Sequence, residues 1–366
     1  MTIVIFLLSL YYCFLFLYLI SLIVVFYKKE EKIIVNSSTP FVSILIAARN
    51  EASNIGSCLT AISELDYPSE SFEVLIGNDS SEDETRSIVE RFILGKSQYK
   101  LIEVTGNLGL ARGKANVLAH LANEAKGEFL FITDADVEVS TTWIKGLLAY
   151  WEEGVGIVSG TTLMKEETLW AKLQNIEWAQ AFGMIYIASK QNIPVTAVGN
   201  NMMISKKAYQ ATGGYENIEF SLTEDWKLFN ETLALKFKSK NLLDAPSIAY
   251  TKPISGIKKL LEQRKRWMHG AIRLPLKLVL ILSVQAIFLP IVISTILLFP
   301  AVGIAMWAMK LGLNYYFINI VMKRLKQFQQ TSSYLIQFEL YTAIVSILSL
   351  LYYLVPGKTE WKGRRY

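Results

Sequence analysis

Phe129-Leu130-Phe131-Ile132-Thr133-Asp134-Ala135-Asp136 is an apolar run that ends in two carboxylates. The run has the length and composition of a buried strand, with no alternating polar positions. The acids stand at i and i+2, a spacing that lets both reach one hard divalent cation and the diphosphate such a cation carries. The competing reading is an acidic loop capping a helix near Thr141. What precedes the run favours the first. Residues 41–47 read as a buried strand, 54–65 as an amphipathic helix and 72–77 as a strand. Residues 81–94 read as a helix opened by Ser80 and Ser81 caps, 100–104 as a strand and 114–125 as a helix. Strands alternating with helices imply an α/β domain whose mostly parallel sheet is covered on both faces. Ligands of such sheets sit beyond the carboxyl ends of the strands. Residues 48–51, 78–79 and 134–136 should therefore share one crevice.

Outside this domain the chain is unusually apolar. It has 366 residues, 52% of them hydrophobic, and a mean hydropathy of +0.31, more than an ordinary soluble protein carries. The excess lies at the two ends. Residues 3–26 are long and apolar enough to cross a bilayer as a helix. No basic residue precedes them and no Ala-x-Ala-like site follows, so residues 1–27 read as a retained anchor and not a cleaved signal. Lys28, Lys29 and Lys32 then place the following domain, 38–255, in the cytoplasm. Residues 256–273 are basic and amphipathic, as suits a helix on the membrane surface. Residues 274–366 hold further spans, at about 276–297, 299–320 and 334–355. Two crossings between 274 and 322 leave the C-terminus outside; one crossing returns the basic Trp361-Lys362-Gly363-Arg364-Arg365 to the cytoplasm it prefers.

The formal net charge of +5 reads as juxtamembrane Lys and Arg facing anionic lipid, not as nucleic-acid binding. Cys13 and Cys58 have no evident partners, in keeping with a reducing, cytoplasmic compartment. Two histidines argue against a His-rich zinc site.

Several residues at the expected strand ends can carry chemistry. Asp134 and Asp136 are candidate ligands of Mg²⁺ or Mn²⁺. Asp79 can accept hydrogen bonds from a nucleobase or ribose, whereas Glu82, Asp83 and Glu84 suit a helix N-terminus. Ala47, Arg49 and Glu51 lie where a nucleotide would enter, with Arg49 and Glu51 as base and ribose contacts. Lys114 follows Gly113 at a helix start and can approach a phosphate or ribose. Residues 168–190 read as a long helix with a Trp170/Trp178/Phe182 stripe, core or membrane-facing, and 198–204 as a strand. In Thr223-Glu224-Asp225, Thr223 can cap the helix 222–235 while Asp225 serves as a general base. Gln263, Arg266 and Trp267 share one helix face, where Gln263 and Trp267 can flank an acceptor and Arg266 can reach a diphosphate. Their other reading is an interfacial helix with a Trp anchor.

Asp79, the Asp134-Ala135-Asp136 turn, Thr223-Glu224-Asp225 and Gln263-Arg264-Lys265-Arg266-Trp267, in this order, resemble the D, D-x-D, D, Q-x-x-R-W set of membrane-anchored family 2 glycosyltransferases, a set shared with ceramide glucosyltransferases and cellulose, chitin and hyaluronan synthases. The resemblance covers about 40–270. It implies a GT-A nucleotide-diphospho-sugar transferase fold and inverting transfer in a single displacement. Asp79 would contact the base, Asp134 and Asp136 the diphosphate and metal, and Asp225 would be the catalytic base. Gln263, Arg266 and Trp267 would line the acceptor and diphosphate side. Asn78 departs from the pattern, since many relatives have a second acid there. The expected donor is a nucleotide-sugar, a UDP-sugar first, in the bacterial inner membrane. The expected acceptor is a lipid, because the few spans, with Ser283, Gln285, Ser294 and Thr295 among their few polar positions, leave little to line a glycan channel. The alternative is a processive polysaccharide synthase whose channel is completed by oligomers or partner subunits. A scaffold that only binds nucleotide-sugar or glycan fits the intact acids less well.

Overall fold

In the computed structural model Val42-Ser43-Ile44-Leu45-Ile46-Ala47-Ala48 forms strand β1 (Val42–Ala48), and its alternate side chains enter different cores. Val42, Ile44, Ile46 and Ala48 pack on one face of the sheet and Leu45 on the other, with Ala47 against it. This period of two is what a strand buried on both sides requires. The structure describes residues 2–27, 39–165, 167–271, 276–327, 331–355, 360–361 and 364–365. Lys28, Lys29, Lys32, Lys362 and Gly363, singled out above, lie outside the described residues.

The chain opens with α1 (Thr2–Phe26) and passes through β1, α2 (Ile55–Ser63), β2 (Phe72–Asn78), α3 (Thr85–Ile93), β3 (Tyr99–Glu103), α4 (Gly113–Glu124) and β4 (Phe129–Asp134). It continues through β5 (Val137–Val139), α5 (Trp143–Leu148), β6 (Val155–Ser159), β7 (Thr161–Met164), α6 (Leu169–Lys190) and β8 (Asn201–Ser205). Then come α7 (Lys206–Ala211), α8 (Gly214–Asn217), α9 (Glu224–Ala234), β9 (Lys238–Asn241) and β10 (Ile248–Thr251). The rest is helical: α10 (Ile257–Ala271), α11 (Leu276–Ala286), α12 (Phe288–Leu298), α13 (Pro300–Arg324) and α14 (Leu335–Leu354).

These elements form two compact units. One comprises Lys32–Lys165, Ala188–Lys252 and Glu360–Tyr366; the other comprises Met1–Glu31, Glu166–Ile187 and Pro253–Thr359. The stretch expected as one domain at 38–255 is thus divided, most of α6 grouping with the other long helices.

The first unit holds a seven-stranded sheet in the order β3-β2-β1-β4-β8-β6-β9. β3, β2, β1 and β4 run parallel, and β8 is antiparallel to β4 and β6. In register, Ala47 faces Gly77 on one side and Asp134 on the other. The residues after β1, β2 and β4 therefore emerge along one edge, and Asn201, paired with Thr133, starts β8 there. Gly77 is required by packing: a Cβ there would lie 2.3 Å from Val117 Cγ1 of α4. Trp143, fully buried, stacks edge-on against Phe131 and donates its indole N–H to Asn201 Oδ1 at 2.8 Å. Asn201 Nδ2 donates in turn to the carbonyls of Thr161 and Ser247. This buried amide is satisfied at both ends, as it must be.

Several expected boundaries move. α3 starts at Thr85, not beside Ser80 and Ser81, because Asp83 Oδ1 takes the Thr85 N–H and the chain turns through Ser80 at φ 53°. β8 begins at Asn201, three residues later than expected. Asp134–Asp136 leads into β5, and the next helix starts at Trp143, so the acidic turn caps no helix. Thr223 stands at the N-cap of α9 without a side-chain cap bond; its hydroxyl pairs with Ser221.

In the second unit, α1 and α14 are long and apolar enough to cross a bilayer, and no other helix passes that test among the described residues. The expected span at 276–297 is broken into α11 and α12. Pro290 lacks an N–H and its ring crowds the carbonyl of Ala286, which interrupts the ladder there. Pro300 instead occupies the first turn of α13, where no bond is lost. α13 carries Lys310, which pairs with Glu339 of α14, while Asn314 donates to the other Glu339 oxygen at 2.9 Å.

Candidate active site

Asp134 closes β4, and Lys114, in the first turn of α4, sets its ammonium 2.6 Å from Asp134 Oδ1. The same ammonium lies 2.8 Å from Glu224 Oε1 at the start of α9. One cation thus bridges carboxylates from two distant segments, at a position where the Lys114 side chain is only 12% exposed. Burial disfavours its charge, but Asp134, Glu224 and Asp225 outweigh this and hold its pKa well above the lysine range.

Asp225 is fixed differently. Its Oδ2 accepts the Gly199 N–H at 2.9 Å and its Oδ1 accepts the Trp226 N–H at 2.8 Å. Position 199 needs glycine, since a Cβ would approach Asp225 Cβ to 2.7 Å. Removal from water, then the charge of Glu224, push the Asp225 carboxyl up to about 6, against Lys114 and the two N–H groups. Asp136 is also pushed up to about 6, by removal from water and by Asp134, while Lys114 and Lys252 pull the other way. Lys252 itself donates to Ser53 O and Asn54 Oδ1. Beneath the turn, the buried Cys58 thiol donates to Asp134 O at 3.6 Å, and burial with the nearby acids keeps it protonated.

The neighbouring strand ends hold the remaining expected residues of this unit. The loops after β1 and β2 are laced together: Arg49 Nη1 donates to Asp79 O at 2.6 Å, Asn50 N–H to Ser81 Oγ, and Glu51 N–H to Thr85 Oγ1. Glu51 Oε2 accepts from Asn54 Nδ2 at 2.7 Å. The Asp79 N–H donates to Ala48 O, and its side chain is buried. Asn78 donates from Nδ2 to Glu103 Oε2 at 2.8 Å. Ala47, Arg49, Glu51, Asp79, Lys114, Asp134, Asp136 and Asp225 all lie at the edge that the parallel register defines.

Gln263, Arg266 and Trp267 belong to the second unit, on α10, and form a separate set. Trp267 packs against Trp178 of α6, ring centroids 5.7 Å apart, with the Arg264 guanidinium 4.6 Å from its own ring centroid. Arg264 pairs with Glu177 at 2.6 Å, and Glu177 also accepts from Tyr341. Lys265 donates to Val355 O. Gln263 Oε1 is buried without a hydrogen-bond partner, and Arg266 forms no ion pair with a described residue. Of the Trp170/Trp178/Phe182 stripe, Trp178 and Phe182 are buried and Trp170 is half-buried.

Glu224, Gly199, Cys58 and Lys252 were not singled out for the site in the sequence. Glu224 had a local signal, its place in the acidic helix start. The others meet the acids only through the fold.

The described residues contain no group of three or more His, Cys, Asp or Glu side chains that could enclose a metal. Asp134 and Asp136 nevertheless suit Mg²⁺ or Mn²⁺, which need one or two carboxylates when phosphate and water supply the other oxygens. The Lys114 ammonium against Asp134 is a stand-in positive charge at that position.

The model of glycosyl transferase family 21 matches residues 1–366, the whole chain. This chain belongs to that family. It is the ceramide glucosyltransferase-like group, with the GT-A fold expected above. The resemblance to ceramide glucosyltransferases drawn from the sequence agrees with this family. Among its relatives, the beta-monoglucosyldiacylglycerol synthase of Synechocystis sp. is 25% identical over 239 residues, 63% of this chain and 48% of that one. The poly-beta-1,6-N-acetyl-D-glucosamine synthase of Staphylococcus epidermidis is 26% identical over 236 residues, 63% of this chain and 54% of that one. The chain thus spans about half the length of the curated relatives it matches. The mannosyltransferase PcManGT from Pyrobaculum calidifontis, solved with GDP-Man and Mn²⁺, superposes with a TM-score of 0.63 at 18% identity, covering 96% of this chain and 98% of that one. At that identity the likeness shows the fold.

Proposed function

We propose that this chain moves a sugar from a nucleotide-sugar, a UDP-sugar first, to a lipid acceptor in a membrane, with inversion and with the help of a divalent metal. The observation that carries this reading is Asp225: a carboxylate aimed by two backbone N–H groups, held near pH 6, beside the Asp134/Asp136 turn. A base with that pKa is ionised at neutral pH and still takes a proton readily. Asp225 would remove the proton of the acceptor hydroxyl while that oxygen bonds to the sugar's anomeric carbon from the face opposite the leaving group. The bond to the diphosphate breaks with its electron pair leaving on the nucleoside diphosphate. Held by Asp134 and Asp136, Mg²⁺ or Mn²⁺ would neutralise the charge on that leaving group. Lys114 would support the diphosphate, Asp79 with Arg49, Glu51 and Ala47 the nucleoside, and Gln263, Arg266 and Trp267 the acceptor and diphosphate side.

The lipid acceptor draws support from the diacylglycerol named in the Synechocystis relative and from the two candidate spans. The same features support a membrane-bound protein, and Lys28, Lys29 and Lys32 after the first apolar run support a cytoplasmic catalytic unit at a bacterial inner membrane. The test is UDP release by purified, detergent-solubilised chain across UDP-sugars, with and without membrane lipid and with Mn²⁺, Mg²⁺ or chelator. We expect lipid-dependent release, a discrete glycolipid, and loss of both on chelation and in Asp225→Asn. Release unchanged by Asp225→Asn would overturn the assignment of the base. The Staphylococcus relative favours a second reading, a processive synthase, which predicts high-mass glycan without added lipid.

A further inference from the structure

Lys114 has little solvent to answer for its charge, and carboxylates answer for it instead. Its ammonium contacts Asp134 Oδ1 and Glu224 Oε1 at 2.6 and 2.8 Å, and all three side chains are at most one-third exposed. Four carboxylates, Asp134, Asp136, Glu224 and Asp225, meet in this edge, and Lys114 is the cation in direct contact with two of them. Without it, the repulsion between the Asp134 and Glu224 carboxylates would lose the ammonium that offsets it, at a place only partly open to water.

We propose that Lys114 is the resident counter-cation of the donor site, exchanging Asp134 for the donor diphosphate when metal and nucleotide bind, with Glu224 as the anchor that keeps it within reach. The proposal rests on the donor-site reading above and adds an order to it. A divalent ion and the ammonium are alternative countercharges for Asp134. An ion arriving alone must displace or repel Lys114 and leave the ammonium without its partner. An ion arriving with a diphosphate brings the anion that takes Lys114 over. Metal and nucleotide should therefore bind with positive coupling, and Lys114 is the group that couples them. Glu224 acts through Lys114 and is a positioning residue: it has no part in the transfer step but fixes where the ammonium rests.

The measurement is Mn²⁺ binding to the full chain in detergent, followed by the loss of the free Mn²⁺ electron paramagnetic resonance signal, with and without UDP. In the wild type, UDP should tighten Mn²⁺ about tenfold or more. In Lys114→Met, Mn²⁺ without UDP should bind about tenfold more tightly than in the wild type, and the coupling to UDP should shrink towards none. Lys114→Arg keeps the charge and should restore weak Mn²⁺ binding and strong coupling; it also covers the case in which the methionine variant does not fold. Glu224→Gln should weaken UDP binding while leaving the coupling in place. A wild type that binds Mn²⁺ with UDP, beside a Lys114→Met chain that gains no affinity for Mn²⁺ alone, overturns this inference and leaves the donor-site reading standing. Arg and Met variants that behave alike also overturn it. A wild type that binds no Mn²⁺ even with UDP overturns the donor-site reading and this one with it.

Discussion

The strand ends of the sheet and helix α10 hold their charges in opposite ways. At the strand ends, groups that would perform the chemistry also hold the local structure: Lys114 joins Asp134 to Glu224, and Asp225 ties α9 to Gly199. On α10 the two duties fall on different residues. Arg264 and Lys265 bind neighbouring helical segments through Glu177 and Val355, whereas Gln263 and Arg266 have no such partners among the described residues. A substitution at the strand ends should therefore alter activity and stability together, and one on α10 should separate them.

The largest effect is expected where chemistry dominates. Asp225→Asn keeps size and loses the ability to take a proton, so the rate of UDP release should fall about a thousandfold. Lys114→Met should cost activity and about 2 kcal/mol of stability, because it takes the shared ammonium away from the partly buried carboxylates of Asp134 and Glu224. Thermal unfolding beside the rate assay checks both. If Lys114→Met lost activity at an unchanged unfolding temperature, the two regions would not differ as argued.

A smaller and graded effect follows from pH. With their carboxyls at about 6, Asp225 and Asp136 are ionised above that value and protonated below it, so below about pH 6 kcat/KM should fall about tenfold per pH unit if Asp225 alone must be ionised and about a hundredfold if Asp136 must be as well. The stability effect has the opposite sign. Asp136 and Asp225 are held at about 6 in the folded chain and would titrate near 3.9 when unfolded. Between about 4 and about 6 the folded state therefore binds more protons, and their contribution to stability falls as pH rises through that window and is level above it. Asp225→Asn should remove its share of that slope.

The parts legible in the sequence were those that local pattern encodes. β1, β2 and β4 are unbroken apolar runs, so the edge where they end, with Asp79 and Asp134 on it, could be read directly. Helix starts were less legible, because capping competes locally: Asp83 and not Ser80 or Ser81 takes the first N–H of α3, that of Thr85. The Lys114 bridge had no local sign at all, since Asp134 and Glu224 reach it from strand and helix ends far apart in the chain. The apolar stretch after α10 left its number of crossings open for a related reason. Hydropathy counts residues but does not feel the lost N–H of Pro290 that divides it into α11 and α12.

The smallest and most discriminating effect lies on α10. Arg264→Met removes a charged hydrogen bond to Glu177 and leaves that carboxylate with the Tyr341 hydroxyl as its donor among the described residues, so it should lower stability by about 2 kcal/mol. Arg266→Ala breaks no bond to a described residue and should change stability by no more than about 0.5 kcal/mol. The ranking should reverse in kinetics: Arg266→Ala should lower kcat/KM, because the positive charge it removes pairs with no acid among the described residues, while Arg264→Met should preserve the chemistry of whatever fraction remains folded. Equal losses of stability in both variants would mean that α10, like the strand ends, joins structure and chemistry in the same side chains, and the contrast between the two regions would disappear.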